Sequence, residues 1–308
     1  MKKTKAGKSL SILLTLIMTL SALSLLMVTS FAETSGDWEY ELLEDDTVEI
    51  IRYIGTETEV TIPSKLDGYT VKGLGGENSS LSAVTSITIP DNTEFISIYM
   101  LSEMPLLESI NVNKNNKYYC SIDGVLFTKD KTMLIHYPAH KPVSEYVIPD
   151  SVTSIGDWAF EDALLKSVII PNSVTRIEWS AFGGCKSLSN ITIPDSVTFI
   201  GSFAFVDCSS LLSVTIPNSV KEIGYKAFGF VYDDNKGDYK FVDNFIIYGQ
   251  TGSEAEKYAE LYKFNFIPRD KSLFIKISGK YYYYVNGVKQ TGWQKIKRGD
   301  GKVYYHYF

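Results

Sequence analysis

Residues 193–205 read IPDSVTFIGSFAF, and this stretch recurs in related form three more times along the chain. Its proline stands at positions 149, 171, 194 and 217, so successive spacings are 22, 23 and 23 residues. The final phenylalanine, at positions 160, 182, 205 and 228, repeats the same three spacings. Several positions recurring in phase at a period of about 20 to 50 residues are typical of repeat architectures. The sequence therefore predicts a repeat solenoid.

Each position of the repeat has a physical role. Ile191 and Ile193 alternate with Thr192, which is the pattern of a short, half-buried strand. Pro194 ends that strand because proline donates no hydrogen bond, and the Asp-Ser pair after it suits a turn. A single unit cannot bury its apolar side, but stacked units can, with strands about 4.8 Å apart. We expect a parallel β-sheet along one face and buried ladders of phenylalanine and cysteine.

The pattern Leu-x-x-Ile-x-Ile-Pro, then Ser-Val-x-x-Ile-Gly, then Ala-Phe-x-x-Cys-x-x-Leu resembles the BspA-type leucine-rich repeat of bacterial and some protozoal surface proteins. Cys185 and Cys208 occupy the cysteine position of that family, which implies small buried thiols. Three cysteines do not form a disulfide framework. A Cys185–Cys208 bridge between adjacent turns stays open as the alternative.

The repeat continues toward the N terminus in degraded form. Further strands are predicted at residues 60–63, 87–90 and 110–112. Residues 38–54 resemble the strands that cap such arrays. Between 113 and 146, two apolar-aromatic runs, 118–127 and 132–137, flank a polar turn and predict an inserted β-hairpin.

A helical pattern ends the array. Ser253 and Glu256 predict a capping box. Apolar residues then recur at helical spacing from Ala255 to Tyr262, and residues 264–267 are predicted to form a strand. This segment resembles the family's C-terminal cap, so we assign residues 33–268 to the solenoid with its caps.

Residues 1–32 have the features of a secretory signal peptide. Four lysines precede an uncharged apolar run, and Ser30 and Ala32 supply the small residues of a cleavage site. An uncleaved N-terminal anchor is the alternative. After cleavage the chain has 30 − 4 = 26 basic and 36 acidic residues, a net charge of −10, which excludes nucleic acid as a natural partner. We expect no membrane association after cleavage, and a secreted, extracellular or wall-associated protein of a Gram-positive-type bacterium.

The composition changes after the array. Residues 269–278 are interpreted as a linker, and residues 279–308 carry an aromatic strand, an Asn-Gly turn and the start of a second hairpin. This tail resembles the cell-wall-binding repeat of choline-binding and glucan-binding proteins. The resemblance implies a cage in which aromatic faces hold a quaternary ammonium or a sugar, with candidates Tyr282, Trp293 and Tyr304.

The tail departs from that family, which favours Trp where this chain has Tyr281 and Val303. Only one hairpin is complete. The tail is therefore vestigial, truncated, completed by partner chains, or simply a hairpin packed on the solenoid. It indicates a wall-polymer partner more than a working choline site.

The sequence offers no candidate catalytic, metal or cofactor residues. His136 and His140 have the spacing of a helical metal pair, but Pro138 between them argues against a helix. The acidic run 233–238 lacks the downstream Glu of an EF-hand and is interpreted as a loop. No serine lies in a nucleophile-elbow motif. The chain is predicted to bind rather than to catalyse, without a cofactor.

The predicted binding surface consists of outward strand positions that the core does not need. They form a mostly hydroxyl-lined strip suited to a wet, adaptable contact, consisting of Ser86, Thr88, Ser109, Asn111, Ser167, Ile169, Asn190, Thr192, Ser213 and Thr215. The alternative is that this strip is merely solvated.

The leading hypothesis is an adhesin-like protein whose partner is a host or bacterial surface protein or glycan. A wall-structural or targeting module, or a non-catalytic part of a larger secreted enzyme, is the alternative. The adhesin assignment rests on the family resemblance, and a fold does not determine a function.

Overall fold

The computed structural model describes residues 32–76, 81–297 and 303–307. The predicted signal peptide lies outside the described residues, apart from Ala32. The described chain is a β-solenoid with parallel sheets and two short helices, α1 (Ile98–Ser102) and α2 (Glu254–Tyr262). Within those ranges, neither helix has the length and apolar character that crossing a membrane requires. The repeat solenoid predicted from the sequence is confirmed.

The N-terminal part of the solenoid contains nine strands in two sheets. Strands β1, β2, β3, β6 and β5 form one sheet in that order, with β8 also on β6, and β4, β7 and β9 form a parallel sheet. Their bounds are β1 (Glu33–Ser35), β2 (Trp38–Leu42), β3 (Thr47–Tyr53), β4 (Glu59–Thr61), β5 (Lys65–Leu66), β6 (Tyr69–Leu74), β7 (Ser86–Ile89), β8 (Phe95–Ile96) and β9 (Ser109–Val112). The degraded repeats therefore stack as the sequence predicts.

The insertion after β9 has one strand more than a single hairpin. Its strands β10 (Tyr119–Ile122), β11 (Val125–Thr128) and β12 (Met133–His136) pair antiparallel in sequence order. Asp123 and Gly124 both have positive φ, 49° and 76°, as a tight Asp-Gly hairpin turn requires. This turn divides the run 118–127, so the predicted hairpin was right in place but incomplete.

The regular repeats form two parallel sheets. Strands β13, β15 and β17 make one, and β14, β16, β18 and β20 extend the sheet that begins with the insertion. The sequence predicted only the first, because the Val-x-x-Ile segments look too short to pair. The bounds are β13 (Glu145–Val147), β14 (Ser154–Ile155), β15 (Ser167–Ile169), β16 (Arg176–Ile177), β17 (Asn190–Ile191), β18 (Phe199–Ile200), β19 (Ser213–Thr215) and β20 (Glu222–Ile223).

A turn and a threonine column connect the two sheets. In each unit the N–H of the valine donates to the carbonyl of the proline three residues earlier, at 3.0–3.3 Å. The backbone N–H of the next residue donates to a backbone carbonyl of the preceding turn of the solenoid. The hydroxyls of Thr175 and Thr198 also donate to that turn, to the carbonyls of Thr153 and Thr175, at 3.2 Å. The Pro-Asp/Asn-Ser-Val-Thr sequence thus satisfies its own backbone while it changes direction.

The core is organised around the inner aromatic stack, which we define as Phe160, Phe182, Phe205 and Phe228. Successive ring centroids are 4.8, 4.9 and 4.6 Å apart, and the rings are within 11° of parallel. All four side chains are fully buried. The predicted phenylalanine ladder is confirmed.

The cysteine ladder lies beside this stack. Cys185 and Cys208 are buried free thiols. Their Sγ atoms donate to the carbonyls of Phe160 and Phe182 at 3.0 and 3.1 Å. Each thiol therefore joins neighbouring turns as a small hydrophobe with a weak donor. Burial raises the pKa of the Cys208 thiol, which keeps it in the unreactive protonated form.

The C-terminal cap contains a hairpin, a helix and two parallel strands, namely β21 (Phe230–Asp233), β22 (Asp238–Phe241), β23 (Ile246–Gly249), α2 and β24 (Asn265–Pro268). Helix and strand are found where the sequence predicts them, but the capping box is wrong. The Ser253 hydroxyl donates back to the Gln250 carbonyl at 2.7 Å. The Glu256 carboxylate accepts from Gly252 N–H at 2.6 Å, one residue before the position that a capping box requires.

The tail folds into two further antiparallel sheets, with strands β25 (Ser272–Ile277), β26 (Lys280–Val285), β27 (Val288–Lys289), β28 (Trp293–Lys297) and β29 (Val303–Tyr307). Asn286 and Gly287 have φ of 49° and 79°, so the predicted Asn-Gly turn is confirmed. The linker assigned to 269–278 is corrected, because β25 occupies most of it. Its alternating apolar residues pair with β26, where Phe274 and Tyr283 lie 4.8 Å apart between ring centroids.

Candidate binding site

The predicted strip lies on the outward side of β7, β9, β15, β17 and β19. All ten residues are half-buried or exposed, whereas the strand residue between each pair is buried. Ser86 lies opposite Ser109 in register, and Ser167 lies opposite Asn190. The strip is divided among three sheets, so it forms three short patches rather than one continuous row.

A groove of about 750 Å³ lies where two of these sheets meet. Strand β17 is the edge of one sheet and β19 is the edge of the next. Four strip residues line the groove: Asn190, Thr192, Ser213 and Thr215. Its charged lining side chains are Asp195 and Arg269, so the surface is chiefly amide, hydroxyl and apolar strand edge.

The tail adjoins one end of this groove. Tyr248, which lines the groove, hydrogen-bonds with Tyr284 of β26. Tyr284 is buried, and that burial together with the neighbouring phenol raises its pKa to about 12. A Cβ on Gly287 would lie 2.7 Å from Cγ of Arg269, so the Asn-Gly turn approaches the groove closely. The hairpin is therefore packed on the end of the array.

The three predicted cage residues are not all described. Tyr282 lies on β26, and the Nζ of Lys289 is 4.0 Å from its ring centroid. An external ammonium would have to displace this internal cation. Trp293 and Tyr304 lie on β28 and β29, a sheet separate from that of Tyr282, and their side chains fall outside the described part of the chain.

The two histidines considered as a metal pair line a different cavity, of about 280 Å³. His136 is buried, and burial lowers its pKa to about 4. Glu161 lines the same cavity, and burial, aided by nearby Asp162, raises its pKa to about 7. In the described ranges, no three His, Cys, Asp or Glu side chains are grouped so as to hold a metal ion. This cavity favours neutral forms of its acid and its base.

A row of rings that the sequence did not predict runs along the solenoid, with three exposed and two half-buried members. We define the outer aromatic row as Tyr99, Trp158, Trp179, Phe203 and Tyr225. Successive centroids are 5.0, 4.4, 6.0 and 5.4 Å apart, and the last three contacts are edge-to-face at 87°, 74° and 82°. The signal was present, since every regular unit has one aromatic residue either one or two positions before its Ala-Phe pair.

Several solved structures are similar to this chain. A leucine-rich repeat protein from Eubacterium ventriosum is 25% identical, with 63% of this chain and 74% of that chain covered, and a TM-score of 0.46. A leucine rich cell surface protein from Faecalibacterium prausnitzii is 25% identical, with 69% and 61% covered and a TM-score of 0.40.

The pneumococcal vaccine antigen PcpA is 21% identical, with 64% of this chain and 62% of that chain covered, and a TM-score of 0.41. The chain thus spans less than two thirds of the Faecalibacterium and pneumococcal proteins. Curated proteins gave no significant match.

The sequence profile described as "BspA type Leucine rich repeat region" matches six copies, over residues 58–131 and 137–233. These ranges contain 74 + 97 = 171 of the 308 residues, more than half of the chain. They coincide with the stacked units whose phenylalanines, thiols and prolines are described above. The chain belongs to the BspA-type leucine-rich repeat family.

Proposed function

We propose that this protein is a secreted or cell-surface binding protein of the adhesin type, without catalytic activity. It contacts a host or bacterial surface protein or glycan through the outward strand positions of the repeats. The aromatic tail associates with a cell-wall polymer and holds the solenoid near the bacterial surface. Family membership and the extended repeat surface support this proposal.

The observation that carries the proposal is the groove between β17 and β19. Its volume of about 750 Å³ accommodates an extended peptide or a few sugar residues. Two sheet edges meet there, and edge strands offer backbone N–H and C=O groups that an extended ligand can pair with. Hydroxyl and amide side chains such as Thr192 and Asn190 add adaptable, water-mediated contacts.

The groove is tested by filling it. Ser213→Arg places a long cationic side chain in the groove from an exposed position, so the fold should be retained while partner binding is lost. Ser209→Arg is the matched control, because Ser209 is exposed but does not line the groove. Binding to immobilised host extracellular matrix and to whole bacteria is measured for both variants. Equal binding by both variants and the native protein contradicts the groove assignment.

The tail is tested with isolated Gram-positive cell walls. Tyr282→Ala should reduce co-sedimentation of the chain from residue 33 onward, whereas Tyr118→Ala, at an exposed tyrosine of the insertion, should not. Added choline should release the native protein only if an ammonium can displace Lys289 from the Tyr282 ring. Unchanged sedimentation of Tyr282→Ala, or no sedimentation of the native protein, removes the wall-binding role from this hairpin.

A further inference from the structure

The outer aromatic row has no role in closing the solenoid core. Trp179 is 39% exposed, Tyr99 53% and Tyr225 55%. In the regular units the residues of the inner aromatic stack already fill the core, and in the unit of Tyr99 the buried Leu101 does so. Soluble proteins rarely expose contiguous aromatic surface of this kind unless it contacts a partner.

The backbone that carries the row is held firmly by alternating side chains. Asp157 Oδ1 accepts from Trp179 N–H at 2.9 Å, and Ser202 Oγ accepts from Tyr225 N–H at 3.1 Å. A polar residue in one turn thus fixes the aromatic residue at the same position in the next turn. Neighbouring turns are also joined by backbone bonds, such as Phe203 N–H to the Tyr225 carbonyl at 2.8 Å. The rings are therefore positioned before any ligand arrives.

Two members of the row have a backbone conformation that bulky residues avoid. Trp158 and Phe203 have φ of 52° and 59°, in the left-handed region. Ser180 and Lys226 occupy the equivalent positions of the other two units and share this conformation, so the fold imposes it. A large, half-buried aromatic residue at such a site, with its ring outside the hydrophobic core, points to a functional role.

We propose that the outer aromatic row is a binding platform for a linear, neutral glycan. The hydrophobic faces of pyranose rings stack on exposed aromatic rings. A site repeated once per solenoid turn matches a ligand that is itself a chain of repeated units, and many weak contacts add up along it. Asp157 lies beside the row, and its carboxylate, which accepts from Trp179 N–H through Oδ1, has a second oxygen that can accept from a sugar hydroxyl. This surface is separate from the groove.

Charge and ring occupancy narrow the ligand class. The chain carries a formal net charge of −6, which disfavours sulfated or uronic-acid polymers. At the C-terminal end of the row, the Nζ of Lys226 lies 5.1 Å from the Tyr225 centroid and 4.5 Å from that of Tyr239. The protein's own cation already uses these ring faces, so a cationic ligand is not what the row selects. A neutral sugar chain fits both observations.

The test uses the full mature chain, with cellohexaose and chitohexaose as neutral probes and heparin as the anionic comparison. Binding is measured by calorimetry and by the change in tryptophan fluorescence, to which Trp158 and Trp179 contribute. Trp179→Ala and Tyr225→Ala should each weaken binding about tenfold, which corresponds to about 1.4 kcal/mol. Tyr118→Ala is the matched control, since Tyr118 is exposed to a similar degree and lies off the row. Circular dichroism verifies that each variant is folded.

The proposal is supported if a neutral hexasaccharide binds and only the row variants lose affinity. It is overturned if neither hexasaccharide binds, if heparin binds more tightly than both, or if Tyr118→Ala loses as much affinity as the row variants. Ser213→Arg in the groove should leave hexasaccharide binding unchanged. The proposal for the outer aromatic row and the proposal for the groove can therefore be contradicted independently of each other.

Discussion

Two rows of aromatic rings run side by side along this solenoid with the same period. In the inner aromatic stack the rings are nearly parallel, buried and one per turn. In the outer aromatic row, two or three residues earlier in each unit, the rings of the regular units meet edge-to-face. Trp179 and Tyr225 are exposed, and Trp158 and Phe203 are half-buried. Shared periodicity therefore does not imply a shared role, since burial and backbone conformation separate a folding element from a recognition surface.

The largest expected difference between the two rows is in how much each ring contributes to the free energy of unfolding. Phe182→Ala removes a fully buried ring that stacks on both neighbours, and should lower the free energy of unfolding by about 3–5 kcal/mol. Urea unfolding followed by circular dichroism measures it. A cost below about 1 kcal/mol, typical of surface sites, would remove the distinction between the rows.

Two titratable residues of the small cavity should make the stability of the fold depend on pH. His136 is buried with a pKa of about 4, below the ordinary 6.5, so the fold loses stability as pH falls through this interval. Glu161 has a raised pKa of about 7, above the ordinary 4.5, so the fold loses stability as pH rises through that interval. Between pH 4.5 and 6.5 the two effects oppose each other.

Single variants should expose each effect. Glu161→Gln leaves His136 unopposed, so stability should rise from pH 4.5 to 6.5, by up to about 2 kcal/mol. His136→Gln leaves Glu161 unopposed, and stability should fall over the same interval. Urea midpoints at the two pH values decide the sign, with the double variant as control. Equal slopes for both single variants would show that neither group is buried in the folded state as described.

Most of the fold could be predicted from the sequence because the repeated residues recur in phase. The proline, valine and phenylalanine positions recur at fixed spacing, and each spacing maps directly onto a stacked contact. Two elements were not readable. The second parallel sheet is made of two-residue strands whose pairing is defined only by the stacked turns. Strand β25 lies in the segment that was interpreted as a linker.

The binding surfaces were only partly predictable. Alternation along each strand correctly placed residues such as Thr192 and Ser213 on the outside. The groove could not be inferred, because it arises where the sheets of β17 and β19 fail to join, which is a property of the stacked array. The outer aromatic row was not predicted because its residues shift by one position between successive units, so they do not align when the repeats are compared in phase.

Because of this one-position shift, Trp158 and Phe203 have a positive φ, whereas Trp179 and Tyr225 do not. We therefore expect backbone strain at the first two residues only. At Phe203, with φ of 59°, glycine should be more stabilising than alanine by about 1 kcal/mol, because only glycine adopts this conformation without penalty. At Trp179, which lacks a positive φ, glycine should be less stable than alanine by about 0.5–1 kcal/mol. Thermal unfolding of the four variants measures both differences. The same order at both positions would mean that the row is not strained in solution.

The smallest effect expected is the stability cost of removing an outer ring. Tyr225→Ala deletes a side chain that is 55% exposed and touches Phe203 only edge-on, so the loss should be about 1 kcal/mol or less. The ratio of this cost to the cost of Phe182→Ala, measured in the same urea titration, decides whether the outer aromatic row supports the fold or contacts a ligand. If Tyr225→Ala costs as much, the outer ring supports the fold and its exposure carries no functional meaning. If it costs little yet weakens glycan binding, the ring contributes to contact with a ligand rather than to the fold.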